Sequence, residues 1–529
     1  MPNFNKYVHF KLTIQQEEEM NARFIFTNLL LLLIFSGFST GIFASESQET
    51  YELVLSGGRV IDPETGLDGI RNIGIRGGTI VDISEHTLLA DKVIDVSGLV
   101  VSPGFIDLHT HSPTALGQYY QLMDGVTTAL ELEAGAHPIQ EYGPEIRDKA
   151  LINFGTSAGY INMRVWLKQG IKMSHIANSP QPDNVLGYWT VLRSFFSEQR
   201  QGFEERASAS DRAQLKELLI SDLEQGALGI GLALDYMSEA VDDEELRMIF
   251  DVAAAKKTII FVHMRRGING DPSGLYEVLN LAKDTGVSIH ICHISHNAMS
   301  NLDVFLSEIR AARQEGVDVT TEVLPYNAGS ATISSAVFSR DWQTIFNISY
   351  GDVEWAATGE RFDKESWEKK RISEPSGQVI HHYLKESWTQ KAIAEPGVII
   401  VSDLLPMQSK DKNVAPHNGT FSKVLGRYVR ETPILDISTA LSKMTLLPAQ
   451  RLEKIAPLLA KKGRIQIGAD ADITVFNAGT IIDNATYKNP YQTADGIKYV
   501  IVNGVVIVQD GKLVENTFPG KEIQGNVSH

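Results

Sequence analysis

Apolar and polar positions along the chain fall into three textures. From 51 to 103, short alternating runs are broken by glycine, as in YELVLSGGRVIDPETG, NIGIRGGTIVDIS and KVIDVSGLVVSPG. Such alternation predicts half-buried strands joined by tight turns. The same texture returns near the other end in GRIQIGADADITVFN and GIKYVIVNGVVIVQDGKLV. Between them, short apolar runs alternate with amphipathic stretches. ALGIGLALDY precedes DDEELRMIFDVAAAKK, TIIFVHMRR precedes SGLYEVLNLAKDTG, VSIHICHIS precedes LDVFLSEIRAARQEG, and VDVTTEVLPY follows. Repeated βα units of this size mean a parallel sheet, and this many favour a closed (β/α)8 TIM barrel. The expected chain is therefore α/β. Residues 104–450 form the barrel, and 45–103 with 451–515 form one small β-sandwich from both chain ends, leaving 516–529 as a tail. Residues 327–397 break the rhythm, rich in Trp, Ser and charge with no clear strand. They are expected to be an insertion between the last two barrel strands, of the kind that makes a lid.

Residues 1–44 read as an upstream extension and a signal peptide. Phe24 to Ala44 carry no charge, with a core at Leu29 to Phe35, but the acidic Glu17, Glu18 and Glu19 are odd for what precedes a signal. Translation from Met20 would give the n-region MNAR with one positive charge, an ordinary secretory start. An uncleaved anchor is the alternative, since the run is long enough to span a bilayer. Asn28, Ser36, Gly37, Ser39, Thr40 and Gly41 dilute it and favour cleavage after Ala44. Either way the body is expected to be exported, periplasmic or secreted, without stable membrane association once cleaved.

Charge and cysteine content narrow the chemistry. The net charge of −17 has no basic run set against it, which argues against nucleic acid or an anionic membrane as main partner. The chain of 529 residues has a single cysteine, Cys292, so no intrachain disulfide and no cysteine-rich zinc site is possible. A metal would have to be held by His, Asp and Glu.

In a TIM barrel, active sites are built where the strands end. His109 and His111 end GFIDLHTH, and residues two apart on a strand share a face, so both imidazoles can reach one ion. Either histidine of TIIFVHMR (His263) or VSIHICHIS (His293), taken alone, reads as a buried group satisfied by a carbonyl. Two successive strands ending this way are harder to dismiss. His290, of opposite parity, and His296, beyond the strand, read as structural or exposed. Asp403 ends GVIIVSDLLP, where a carboxylate can bind metal, accept a proton or cap the next helix. Glu131 and Glu133 share a face in DGVTTALELEAG, as a bridge between ions or as a salt-bridged strand end. Together these groups suit hydrolysis: divalent ions lower the pKa of a bound water and polarise a carbonyl, and Asp403 passes the proton to the departing nitrogen.

GGRVIDPETG, VVSPGFIDLHTH, His263, His293 and Asp403, in this order, resemble the amidohydrolase superfamily. GVTT, GALGIGLAL, VHMR, SDLLP, GTFSKVLGRYVRE, KMTLLPAQRL and GADADITVFN resemble, within it, the N-acyl-D-amino-acid deacylases (D-aminoacylases), over about residues 52–510. The resemblance implies a hydrolase with one or two Zn2+ ions, His109 and His111 at one metal position, His263 and His293 at the other, and Asp403 as acid/base. Three departures stand out. Where the family places a metal-binding cysteine this chain has Ala134, with Glu133 the nearest replacement, Glu131 in reserve, and no lysine in GALGIGLALDY to carry a carboxylate bridge. Ser295 stands where a lysine helps hold the substrate carboxylate, and PHNGTF lacks the family's arginine. Arg265, Arg266 and Arg340 are the candidates to replace those cations, and Arg265, Ser295 and Tyr326 are the expected substrate-binding residues. The implied reaction splits an N-acyl-D-amino acid into a carboxylate and a D-amino acid. The preference for D over L rests wholly on the resemblance. Two alternatives stand beside it: another exported amide, such as a D-amino-acid peptide or a cyclic amide, and a barrel that has lost catalysis and serves a structural role.

Overall fold

A computed structural model describes residues 50–176, 181–187, 189, 201–410 and 415–526, so the signal segment lies outside the described residues. Strands β1 (Tyr51–Asp62), β2 (Leu67–Arg76), β3 (Thr79–Ser84), β4 (Ala90–Asp95) and β5 (Val100–Pro103) come first. Barrel strands β6 (Phe105–Asp107), β7 (Val126–Ala136) and β8 (Asn153–Gly159) follow, then a two-strand ribbon, β9 (Ile171–Lys172) with β10 (Gln181–Pro182). The barrel resumes with β11 (Ile230–Leu232), β12 (Ile259–Val262), β13 (Ser288–Ile291) and β14 (Val319–Val323). The inserted β15 (Gly329–Thr332), β16 (Val353–Trp355), β17 (Glu360–Arg361) and β18 (Gln378–His381) form their own antiparallel sheet before β19 (Val398–Ile400). The chain closes with β20 (Ile473–Phe476), β21 (Ile497–Val502), β22 (Val505–Gln509) and β23 (Lys512–Leu513).

The two glycine-rich ends build one nine-stranded sheet, joined where β20 lies antiparallel to β5 with Ile473 opposite Pro103. Alternation turns Leu53, Leu55, Ile73 and Ile75 from one end against Ile473, Val475 and Ile501 from the other, all buried in one cluster. The barrel strands run parallel in the order β6-β7-β8-β11-β12-β13-β14-β19, each beside the next in sequence. Closure comes just beyond β6 and β19: the Asp403 N–H donates to the His109 carbonyl and the His111 N–H to the Leu404 carbonyl, both at 2.8 Å. Helices cover the outside through apolar stripes. Asp243–Ala255 is capped by the Asp242 side chain and buries Leu246, Ile249, Phe250 and Val252.

Two expectations are corrected. The stretch 327–397 does contain strands, and a core of its own around Phe338, Trp342, Phe346 and Trp367. Its strands are two to four residues long, too short for alternation to register. Its last helix, Glu386–Ala394, leads into β19 and belongs to the barrel. The second correction concerns the tail. Gly520 donates to the Ala150 carbonyl at 2.9 Å and Ile523 to that of Phe154 at 2.7 Å. The Ile523 side chain is buried with Ile106, Leu130, Leu228 and Phe261, so this segment plugs the barrel. Among the described residues no helix is long and apolar enough to cross a membrane.

Candidate metal centre

Four histidines meet around one carboxylate at the C-terminal mouth of the barrel. His109 and His111 follow β6, and their Nε2 atoms lie 3.2 Å apart. Glu133 Oε2 is 3.3 Å from each. The other oxygen, Oε1, is 2.7 Å from His263 Nδ1, just after β12, and 2.9 Å from His293 Nε2, just after β13. Glu133 therefore sits between two histidine pairs with one oxygen turned to each. Asp403 Oδ1 faces the first pair, 3.5 Å from His109 Nε2 and 3.3 Å from His111 Nε2. The histidines and Glu133 are buried, whereas the Asp403 side chain keeps 20% of its surface open.

Buried polar contacts fix this arrangement. Asp107, at the end of β6, accepts from the backbone N–H of Ser402 at 3.0 Å and of His109 at 3.2 Å, tying the first strand to the last. His293 (φ +31°) and Asp403 (φ +50°) both adopt left-handed backbone, a strain that concentrates at functional sites. Behind the first pair, Glu322 Oε1 holds His109 Nδ1 at 2.5 Å while its Oε2 holds His290 Nε2 at 2.8 Å. Glu131 Oε2 holds His111 Nδ1 at 2.7 Å and His175 Nε2 at 2.6 Å. Of the two glutamates, Glu133 stands between the pairs and Glu131 behind one of them. Glu322 and His175 escaped the sequence reading. Glu322 left one trace, an ionisable residue inside the apolar strand VDVTTEVLPY; His175 left none.

Burial raises the carboxyls of Glu131 and Glu322, but the neighbouring histidines outweigh it and hold both down to about 2. Asp403 is likewise held well below the usual carboxylate range, by His109 and His111 against burial. His263 is pushed down to about 4 by burial, Arg266 and His293, so its ring is neutral at pH 7, as a ligand requires. His263 Nε2 and His293 Nδ1 are buried without a hydrogen-bond partner. Imidazole nitrogens and carboxylate oxygens at these separations fit a divalent cation in either pair, with Glu133 common to both. Glu322→Gln is expected to weaken metal binding by about 10–100-fold, the usual effect of losing a group that orients a ligand. Chelator competition checks this; an unchanged affinity would mean that His109 needs no such support.

A cavity of about 440 Å³ opens on the centre, bounded by His111, Glu133, His263, His293 and Asp403 on the barrel side and by the inserted segment on the other. The chain that builds this barrel mouth has relatives among known proteins. The profile described as the amidohydrolase family matches residues 205–508. The chain belongs to the amidohydrolase family. N-acyl-D-glutamate deacylase of Alcaligenes xylosoxydans xylosoxydans is 29% identical over 486 residues, 87% of this chain and 94% of the relative. D-aminoacylase of the same organism is 28% identical over 494 residues, 88% and 96% of the two chains. In fold, the chain matches N-acyl-D-glutamate deacylase from Bordetella bronchiseptica, solved with zinc and a phosphonate inhibitor. The TM-score is 0.73 at 23% identity, over 90% of this chain and 100% of that one. A D-aminoacylase crystal structure matches with TM-score 0.70, also at 23% identity over 90% and 100%.

The three expected substrate-binding residues of this amidohydrolase do not reach the cavity. Arg265 turns away to Glu277 and the Val241 carbonyl. β12 ends at Val262, so the alternation that placed His263 no longer applies two residues later, and Arg266 is the side chain that faces inward. Ser295 is buried beside His296, Oγ to Nδ1 3.3 Å. Tyr326 is stacked on His417 at 4.6 Å and lies beneath the Lys423 ammonium. His296, read as structural or exposed, is buried and lines the cavity.

Proposed function

We propose that this amidohydrolase is a zinc-dependent deacylase that splits N-acyl-D-amino acids into a carboxylate and a free D-amino acid. The observation that carries the reading is Glu133 set between two histidine pairs with Asp403 beside the first, all facing one cavity. The activities named for the relatives supply the substrate class. His109, His111 and Glu133 would hold one ion, and Glu133, His263 and His293 another. When bound, zinc lowers the pKa of a water toward neutrality and polarises the carbonyl to be attacked.

The chain's own groups do the rest. Asp403 is ionised at neutral pH, so it is ready to take a proton as water attacks, and its partial opening to the cavity lets it reach the substrate. It then returns that proton to the departing nitrogen, the acid step that amide cleavage needs. Glu131 and Glu322 keep the Nε2 atoms of His111 and His109 turned inward. The test is amino-acid release from paired N-acetyl-D- and N-acetyl-L-amino acids by zinc-supplemented protein. Release confined to D substrates is the expected result. Silence across the panel with metal bound would sink the reading and move the search to cyclic amides and D-peptides.

A further inference from the structure

We propose that Arg266 binds the α-carboxylate of the substrate and that the rest of the cavity accepts an apolar side chain, so that the preferred substrates carry no second carboxylate. The inference rests on the deacylase reading and deepens it. Among the described residues, Arg266 is the one lysine or arginine that lines the cavity. Its side chain is 7% exposed, and its Nε is buried without a hydrogen-bond partner, so an arriving oxygen would satisfy an otherwise unmet donor.

The charge balance around Arg266 favours an anion. Asp235 accepts from the Arg266 backbone N–H at 2.9 Å and from its Nη1 at 3.1 Å. The same Oδ2 accepts from Arg340 Nη2 at 2.9 Å, so two guanidinium groups share one carboxylate and leave one positive charge over. Asp235 Oδ2 also lies 3.7 Å from His263 Nε2, which puts Arg266 one carboxylate's width from the second histidine pair. In an N-acyl amino acid, one carbon separates the α-carboxylate from the nitrogen to be cleaved, so the cation must stand this close to the centre. A carboxylate at the far end of an acyl chain would fall elsewhere.

Among the described residues the remaining walls carry no second lysine or arginine. Ile161, Met173, Phe203, Val337 and Leu405 are among the lining residues, and His381, pushed down to about 3 by burial and by Arg266, is neutral at pH 7. The side-chain carboxylate of an acidic amino acid would meet neutral donors there, such as Ser330, Thr332 and Gln378, but no cation to offset its desolvation among the described residues. This sets the chain apart from the relative named for N-acyl-D-glutamate.

The test compares wild-type protein with Arg266→Met and Arg266→Lys on three substrates: N-acetyl-D-leucine, its carboxamide N-acetyl-D-leucinamide, and N-acetyl-D-glutamate. Wild type is expected to favour N-acetyl-D-leucine over N-acetyl-D-glutamate by about 100-fold in kcat/KM, the discrimination typical of an unpaired buried charge. Arg266→Met should raise KM for N-acetyl-D-leucine about 100-fold, raise that for the carboxamide less than about 10-fold because only a neutral hydrogen bond is lost, and keep its zinc, with partial rescue in Arg266→Lys. Asp235 keeps Arg340 as partner in these variants, and the carboxamide serves as the control for folding. Equal losses on acid and carboxamide, or an unchanged KM for the acid, would overturn the inference while the deacylase reading stands. A wild type that prefers N-acetyl-D-glutamate would overturn the apolar half. Wild-type silence on all three with zinc bound would overturn the deacylase reading and this inference with it.

Discussion

Glu133→Ala is expected to weaken metal binding at both histidine pairs together, by more than about 100-fold, and to abolish turnover. Groups that only orient a ligand already cost about 10–100-fold when lost, and Glu133 touches all four histidines itself. Its negative charge would also offset the repulsion between cations held at the two pairs. Without it, the first pair keeps Asp403 at 3.3–3.5 Å while the second has Asp235 no nearer than 3.7 Å, a carboxylate already shared by two arginines, so the residual binding should be unequal. Metal content per chain after dialysis, with chelator competition on what remains, measures this. Glu131→Ala should cost less, because His111 retains its place on the chain and loses only its orienting partner. Wild-type affinity in Glu133→Ala, or equal small losses in the two variants, would remove Glu133 from between the pairs.

Asp403→Asn is expected to behave in the opposite way: metal retained, turnover down about 10²–10⁴-fold, the range that a positioned acid/base contributes. The amide fills the same space and can still accept from neighbours, but it cannot take up a proton at neutral pH. Its backbone N–H, which donates to His109, is untouched, so the barrel should close as before. The decisive comparison is metal content against kcat in one preparation. Parallel loss of both would make Asp403 chiefly a ligand, consistent with its 3.3 Å approach to His111.

How much of this was legible beforehand follows from what each feature depends on. The barrel was readable because buried strands and amphipathic helices leave different periods in the sequence. The four histidines and Asp403 were readable because a strand end fixes which side chains point inward. Parity alone could not choose between Glu131 and Glu133: they share a face, and the pairing of β7 with β8 shifts register beyond Glu131. Arg266 stood among three candidate cations without being preferred to Arg265, since β12 stops before both and the chain's direction there is set by contacts with Asp235. Glu322 and His175 act through partners distant in sequence, and no spacing rule links them to His109 or His111. The short strands of the inserted segment and the buried Ile523 depend on tertiary packing that local composition does not reveal.

The closure of the last barrel strand onto the first sets an order of events. His109 and Asp403 come from opposite ends of the barrel, and β5 finds its partner in β20 only after the whole barrel has been made. No N-terminal fragment of a growing chain can therefore assemble the centre, however well its early strands pair. Contacts spanning such sequence distances make folding slow, because the intervening chain must be ordered before they form. The first histidine pair is made early and waits, without its aspartate, for more than half the length of the chain. A chain cut short anywhere before β19 lacks Asp403 and is therefore expected to be inert.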